Sequence, residues 1–292
     1  MRDSFVKTML ALMAEDPDVI LLTGDLGFGI FNQFEADFPD RYINVGVAEQ
    51  NMLGLAAGLS LMGKKVFCYS IANFSFMRGL EQFRNGAIYH NTNVTVVCSG
   101  GGFTYGQLGF THFAIEDYGI LSTFPGLQIH HPATSEQVVS AVKDCAIHNG
   151  PCYLRLEKLE MSCPALKPDL EKQGLYCHTD KGNVALVAIG SLLDLAIKAV
   201  EGRDQDVAVY SLVRHDLITN ETILDELAKF SKILVIEEHV MPNSAGQKLR
   251  AALPQVEFNQ FAINDGGPSI VGDQHFLRGQ YGLTSEAIRS AL

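Results

Sequence analysis

"NVGVAEQNMLGLAAGLSLMGKKVFCYS", residues 44–70, places one acidic residue, Glu49, at the mouth of an apolar run that stays uncharged until Lys64. The run, roughly Val47 to Met62, reads as a helix, and "KVFCYS" (65–70) beyond Gly63 reads as a strand. A helix feeding a strand in this way is the repeating unit of a layered α/β protein. Glu49 then has two readings. An acid in the first turn of a helix helps offset the macrodipole. A carboxyl buried at a preorganised helix start can instead hold a proton against a cofactor nitrogen, because a buried acid is costly unless something pairs with it.

The same alternation extends outward. A helix from about Arg2 to Ala14 carries Phe5, Met9, Leu10 and Met13 on one face, and "VILLTG" (19–24) is a short apolar strand. Downstream come a helix over about 76–89, the strand "NVTVVCS" (93–99), a glycine-rich loop (100–110) and a helix-like piece from about Thr111. "LQIHHP" (127–132) is a strand stopped by Pro132, and Thr134 or Ser135 caps a helix ending near Gly150 before "PCYLRLE" (151–157). Such a series implies a mostly parallel sheet with helices on both faces. A Pro-, Lys- and Asp-rich stretch around 158–183 reads as a linker. A second α/β series follows, with strands at 184–191, 206–212, 232–239 and 256–263 and helices at 192–200, 218–230, 244–253 and 284–292. The expected organisation is therefore two α/β domains, 1–160 and 183–292, joined by a linker at 161–182.

Composition narrows the function classes. The 292 residues are 47% hydrophobic and 19% charged, with a net charge of −11. That balance argues against a nucleic-acid partner, which calls for a basic face. No window reaches the roughly 18 apolar residues a membrane span needs, and "MRDSFVKTMLALMAEDPDV" lacks a secretory apolar core. Six cysteines show no CxxC pairing, and Cys68 and Cys98 sit inside strand-like runs as small apolar residues. The expectation is a reducing, cytoplasmic setting and no structural metal. His130 and His131 lack ligand spacing and read as strand residues.

Chemistry-bearing residues collect at predicted strand ends. In "SGGGFTYGQLGFTHFAIED" (99–117) the glycines bring backbone close to something at a strand's carboxyl end, where open α/β sheets bind ligands. His112 follows that loop one turn before Glu116, placed for proton transfer or a substrate hydrogen bond unless it is structural. In "ANFSFMRGLEQFRNG" (72–86) Phe83 reads as core, whereas Phe74 or Phe76 could stack on a flat ring beside Arg78. Arg155, ending "PCYLR", has the bidentate fork that suits an anion. Glu237 and Glu238 read as a solvated pair at a strand end.

Together, "INVGVAEQNMLGLAAGLS", "RGLEQFRN", "GFTHFAIED", "FPGLQIHHPATSEQ", "GPCYLRL" and "VIEEHVMPNSAG" resemble, in order, the C-terminal half of transketolase, specifically the C-terminal-section subunit of split transketolases. The 1-deoxyxylulose-5-phosphate synthases are cousins. The resemblance implies a pyrimidine-binding domain followed by the family's C-terminal domain, with thiamine diphosphate as cofactor. Glu49 matches the glutamate that shares a proton with the cofactor's pyrimidine nitrogen and so helps generate its carbon nucleophile; burial would favour the neutral, donating acid. Asp25 matches an Asp near the thiazolium. Phe74 or Phe76, beside Arg78, would contact the pyrimidine. His112 matches a substrate-contacting His, and Arg155 and Arg2 match arginines that bind a sugar phosphate.

Two departures bear on substrate. "GQLG" (106–109) stands where the family reads "GEDG", so Leu108 replaces an Asp associated with the sugar's C2 hydroxyl, and Gly100 stands near a family His. Losing a hydroxyl partner should redirect recognition, toward a deoxy, branched or otherwise modified sugar. The Gly-Asp-Gly motif of the domain that holds diphosphate and Mg²⁺ is absent, so the resemblance implies no metal ligands here. It implies instead an α subunit holding both, in an α₂β₂ assembly. A decarboxylating carboligase subunit and a non-catalytic partner subunit are the alternative readings.

Overall fold

The computed structural model describes residues 1–27, 29–158, 161–202 and 206–292. Among the described residues, eleven strands form two sheets. The first contains β1 (Val19–Thr23), β2 (Tyr42–Asn44), β3 (Lys65–Ile71), β4 (Val94–Ser99), β5 (Gln128–His130) and β6 (Cys152–Leu156), in the order β2-β1-β3-β4-β6-β5. Every described pairing in it is parallel. β1, β4 and β6 read as near-continuous apolar runs because helices cover both faces of a parallel sheet.

The second sheet contains β7 (Leu175–Thr179), β8 (Val184–Ala188), β9 (Val207–Leu212), β10 (Lys232–Val240) and β11 (Glu257–Ile263), ordered β11-β10-β8-β9-β7. β7 is antiparallel to β9 at its edge. The expected linker at 161–182 is therefore not a free connection throughout. Leu175 and Cys177 are fully buried in the sheet, and a short helix, Pro168–Glu171, precedes them. The expected domain end at 160 lies outside the described residues.

One apolar cluster runs from Met52 and Val96 through Tyr118 and Leu121 to Val187 and Val235, so the two sheets share a core. A second cluster packs the helices Arg2–Glu15 and Ser135–Ile147 on the other face of the first sheet. Thr134, rather than Ser135, caps the latter helix by accepting from Gln137 N.

The stretch expected as one helix over 76–89 is a π-helical turn (Phe74–Arg78), a short α-turn (Leu80–Gln82) and a second π-helical turn (Phe83–Ile88). Gly79 and Gly86 carry it against the helix Glu49–Leu61; Cβ atoms at those positions would come within 2.4 Å of Leu53 and 2.9 Å of Ala57. Near Thr111 there are two 3₁₀ turns instead of a helix. The helix Gln274–Gln280, which the apolar pattern did not signal, braces the first of these turns. Leu277 and the Gly272 carbonyl lie where a side chain at Gly106 would go.

Candidate active site

The carboxyl ends of β1 and β3 and the start of the helix Glu49–Leu61 meet at one point. Glu49 is the first helical residue and is 1% exposed. Ser70, near the end of β3, donates to its Oε1 at 3.2 Å, and Arg78 from the π-helical turn donates to its Oε2 at 2.5 Å. Gly24, just beyond β1, completes the cradle: a Cβ there would lie 3.2 Å from Ser70 Oγ and 3.4 Å from Glu49 Oε1. The sequence reading rested on the helix-start position of Glu49 and on the family motif around it. The structure adds a guanidinium and a hydroxyl, so both carboxyl oxygens have a donor.

Arg78 links Glu49 to the aromatic part of the site. Its guanidinium carbon stands 4.6 Å from the centroid of Phe74, a cation–π contact. Phe74 in turn meets the His112 ring at 5.0 Å, edge on. Asn73 fixes this approach by donating to the Thr111 carbonyl at 2.6 Å, and Thr111 Oγ1 lies 3.0 Å from His112 Nδ1. The π-helical turn and the 3₁₀ turn Phe110–His112 thus bring Glu49, Arg78, Phe74 and His112 to one edge of the sheet. Phe76 does not belong to this group. It is 3% exposed and packs against Tyr153 in the core cluster that also holds Met52 and Leu53, whereas Phe74 is half-exposed.

Asp25 adopts a left-handed conformation (φ 53°). Its amide and carboxylate are engaged reciprocally by Asn44, each at 3.0 Å, at the mouth of the same edge. Leu108 and Phe110 are 58% and 62% exposed beside His112, and Val47, two residues before Glu49, is 71% exposed. The site is a half-built wall with apolar side chains at its rim.

Arg155 is elsewhere in its chemistry. It is fully buried, and NH1 donates to Asp117 Oδ1 at 2.7 Å while NH2 reaches the Glu238 carbonyl at 3.3 Å. Burial pushes its pKa down, and Asp117 and Glu157 more than offset that. Its guanidinium is enclosed by this chain's own carboxylates, so the expectation that it binds a sugar phosphate is corrected: the short strand end that suggested an exposed anion site is covered by the second sheet. Glu237 and Glu238 are likewise buried rather than solvated. Glu237 accepts from Tyr118, from Gln260 and from the amides of Ala245 and Gly246 at a helix start. Glu238 accepts from Phe103 N at 2.7 Å and from Arg278 Nε at 2.8 Å, which joins the two domains. Burial raises the Glu238 pKa against the pull of Arg278.

His131 belongs to the same junction. Burial lowers its pKa, its Nδ1 has no partner, and Nε2 sits 2.6 Å from Glu157 Oε1. The proton of a neutral ring there is on Nε2, donated to the carboxylate.

A residue the sequence reading passed over, Lys158, lies three positions beyond Arg155. With Arg2, Ser99 and Tyr105 it lines a cavity of 320 Å³ on the carboxyl edge of the first sheet. Its ammonium stands 4.8 Å from the Tyr105 ring centroid. The Tyr105 ring fills the space above Gly100, where a Cβ would come within 2.1 Å of it. Arg2 is exposed and 3.6 Å from Asp3. The charge pattern alone did not separate Lys158 from the neighbouring linker lysines; only the end of β6 selects it. A larger cavity, 810 Å³, sits at the amino edge, against Gln128 and Asn149, and takes no part in this site.

Residues 1–163 match the transketolase pyrimidine-binding domain model. The chain belongs to that family. It is 29% identical over 267 residues to an apulose-4-phosphate transketolase subunit of Actinobacillus succinogenes, covering 87% of this chain and 85% of that one. It is 29% identical over 304 residues to the 6-deoxy-6-sulfo-D-fructose transketolase subunit SqwH of Clostridium sp., covering 100% and 93%. A split-gene transketolase solved as an inactive β4 tetramer superposes with a TM-score of 0.84 at 26% identity, covering 99% of this chain and 96% of that chain. The transketolase pyrimidine-binding fold thus carries Glu49 at the start of its central helix, and the second sheet follows it here as in the split protein.

Proposed function

We propose that this chain is the pyrimidine-binding β subunit of a two-chain transketolase that moves a two-carbon ketol unit between modified sugar phosphates or related anionic sugars. The observation that carries the reading is the Glu49 cradle: a buried carboxyl at a helix start, held by Ser70 and Arg78, with Phe74 and His112 half-exposed beside it. These residues fit an aminopyrimidine, which needs an acid at a ring nitrogen and an aromatic face. Thiamine diphosphate, when bound, supplies the carbon nucleophile on which ketol transfer depends.

The chain's own groups then divide the work. Glu49 holds the proton at the pyrimidine nitrogen, Arg78 and Ser70 fix the direction of its oxygens, and Phe74 orients the ring. His112 hydrogen-bonds the sugar or moves a proton at its hydroxyl. Asp25, set by Asn44, faces the thiazolium side of the cleft. Arg2 and Lys158 meet the sugar's anionic end, the role the sequence had given to Arg155. Leu108 offers no hydrogen bond where a family Asp would, which suits a sugar altered at the reading position. The names of two relatives, which refer to apulose 4-phosphate and 6-deoxy-6-sulfo-D-fructose, support that class.

The only group of His, Cys, Asp or Glu with metal-ligand spacing among the described residues is on β5, β6 and a neighbouring helix, three strands or more from β1. Diphosphate and Mg²⁺ are assigned, on the family resemblance, to an α subunit in an α₂β₂ assembly. The inactive β4 neighbour is in line with this dependence. The test is reconstitution with the chain that carries the metal–diphosphate motif, followed by a donor and acceptor screen. Ketol transfer by the pair and none by this chain alone is expected. Turnover by this chain alone, or a clear preference for unmodified xylulose 5-phosphate, would overturn the corresponding part. The setting is proposed as cytoplasmic; among the described residues no helix is long and apolar enough to cross a membrane.

A further inference from the structure

Three side chains that are far apart in the sequence converge away from the active site. His130 on β5 and Cys152 on β6 lie on one face of the sheet, because Gln128 pairs with Cys152 and His130 with Leu154 in parallel register. The helix Ser135–Ile147 packs on that face and brings Cys145 down onto them. His130 is 1% exposed and both cysteines are fully buried. The imidazole nitrogen and two sulfurs lie within 4.8 Å of one another.

A fourth donor points the same way. Gln128 Oε1 lies 3.2 Å from His130 Nε2 and 3.9 Å from Cys152 Sγ. In a tetrahedral zinc site with metal–nitrogen or –oxygen bonds of about 2.1 Å and metal–sulfur bonds of about 2.3 Å, neighbouring ligand atoms stand about 3.4–3.8 Å apart. The two Gln128 separations bracket that spacing, and the other three ligand atoms fall within 4.8 Å of one another. Gln128 also lines the 810 Å³ cavity with Asp144, His148 and Asn149, so the cluster is one side chain away from an open approach.

We infer that His130, Cys145, Cys152 and Gln128 form a structural site for a Zn²⁺-class divalent cation that ties β5, β6 and the helix Ser135–Ile147 together at the sheet edge. The ligand set is soft enough to prefer zinc over magnesium or calcium. Charge decides between d¹⁰ ions: each thiol loses its proton as its sulfur–metal bond forms, and two thiolates leave a divalent ion neutral in a buried setting, whereas a monovalent ion would leave a net negative charge. The sequence reading expected no metal because no two of these residues have ligand spacing; the strand register supplies what the spacing lacks.

The experiment uses the full chain, stripped with chelator under reducing conditions and titrated with Zn²⁺ alone, then with Co²⁺. One ion per chain is expected, with a thiolate-to-cobalt charge-transfer band, a tetrahedral d–d envelope and a raised melting temperature. Zinc-edge X-ray absorption on the unmutated chain should show two sulfur neighbours, which keeps the inference testable if variants fail to fold. Cys145→Ser or Cys152→Ser should weaken binding at least about a hundredfold, the upper end of what outer-shell changes cause, while Cys163→Ser leaves it unchanged. Substoichiometric binding, only nitrogen and oxygen neighbours, or a cobalt spectrum that survives both serine variants would overturn it.

Discussion

Two charged clusters sit at strand ends in this protein, and they differ in how completely they are satisfied. Between the sheets, Arg155, Asp117, Glu157, Glu238 and Arg278 are buried and close on one another, so each charge meets an opposite charge within the chain, although Arg155 Nε itself has no hydrogen-bond partner. At the open edge, Glu49 is buried but its partner Arg78 is 43% exposed at the side chain, and Phe74 and His112 are half-exposed. Both clusters combine arginines with carboxylates at the same end of parallel strands. The first spends its charges on holding two domains together. The second keeps surface free for something the chain does not contain. Residue type alone does not separate a structural arginine from a binding one; enclosure among the chain's own carboxylates does.

That contrast can be overturned at Arg155. If it is structural, Arg155→Ala leaves Asp117 and Glu157 buried without their cation and should cost about 3–5 kcal/mol, read as a large fall in melting temperature or loss of soluble protein. A well-folded variant with only a raised KM for an anionic sugar would return it to the binding role. Next in size is His112. His112→Ala should lower kcat/KM of the reconstituted enzyme by about a hundredfold while the melting temperature stays unchanged, because the ring is half-exposed and rests on Phe74. Equal losses of stability and rate would place it among the structural residues.

The closed cluster also predicts a pH response. Burial, and after it the charges of His131, Lys248, His239 and Arg155, hold the His215 pKa well below 6.5, and its Nε2 has no partner. His131 and His239 are lowered by burial as well. A group whose folded pKa is depressed contributes stability that is present above its unfolded value and lost as pH falls. Melting temperature should therefore drop as pH falls below about 6.5, and His215→Gln should flatten that slope. A slope unchanged by the variant would show that His215 is not its source. The smallest effect is expected at Leu108, which is exposed at the rim. Leu108→Asp should shift the ratio of kcat/KM between an ordinary and a modified ketose by about tenfold with little change in stability. No shift would detach this loop from substrate choice.

Much of the first domain was legible in the sequence because a parallel sheet writes its strands as short apolar runs and its helices as periodic ones. Val19–Thr23, Lys65–Ile71, Val94–Ser99 and Cys152–Leu156 all lie where the pattern put them. The failures share a cause. Tyr42–Asn44 and Leu175–Thr179 are edge strands, half-covered or framed by polar turns, so their pattern is diluted. The helix Gln274–Gln280 carries a single deeply buried apolar residue, Leu277, and shows no stripe. In the site, Glu49 and His112 stood out by position and motif. Phe74 could not be separated from Phe76, because a π-helical turn changes which residues share a face. Arg155 and the Glu237–Glu238 pair were misread because burial by a second domain leaves no mark on the residues it covers.

Glu49 as part of the catalytic apparatus, and not only a helix-start carboxylate, is the point on which the proposed function turns. Its sharpest test is Glu49→Gln in the reconstituted two-chain enzyme, measured beside the unmodified pair for assembly, melting temperature and ketol transfer at saturating thiamine diphosphate and Mg²⁺. Intact assembly and a fall in turnover of about a thousandfold are expected, since glutamine keeps the shape of the cradle but does not hold the proton. Turnover within about twofold of the unmodified pair, with the same assembly, would leave Glu49 a structural carboxylate.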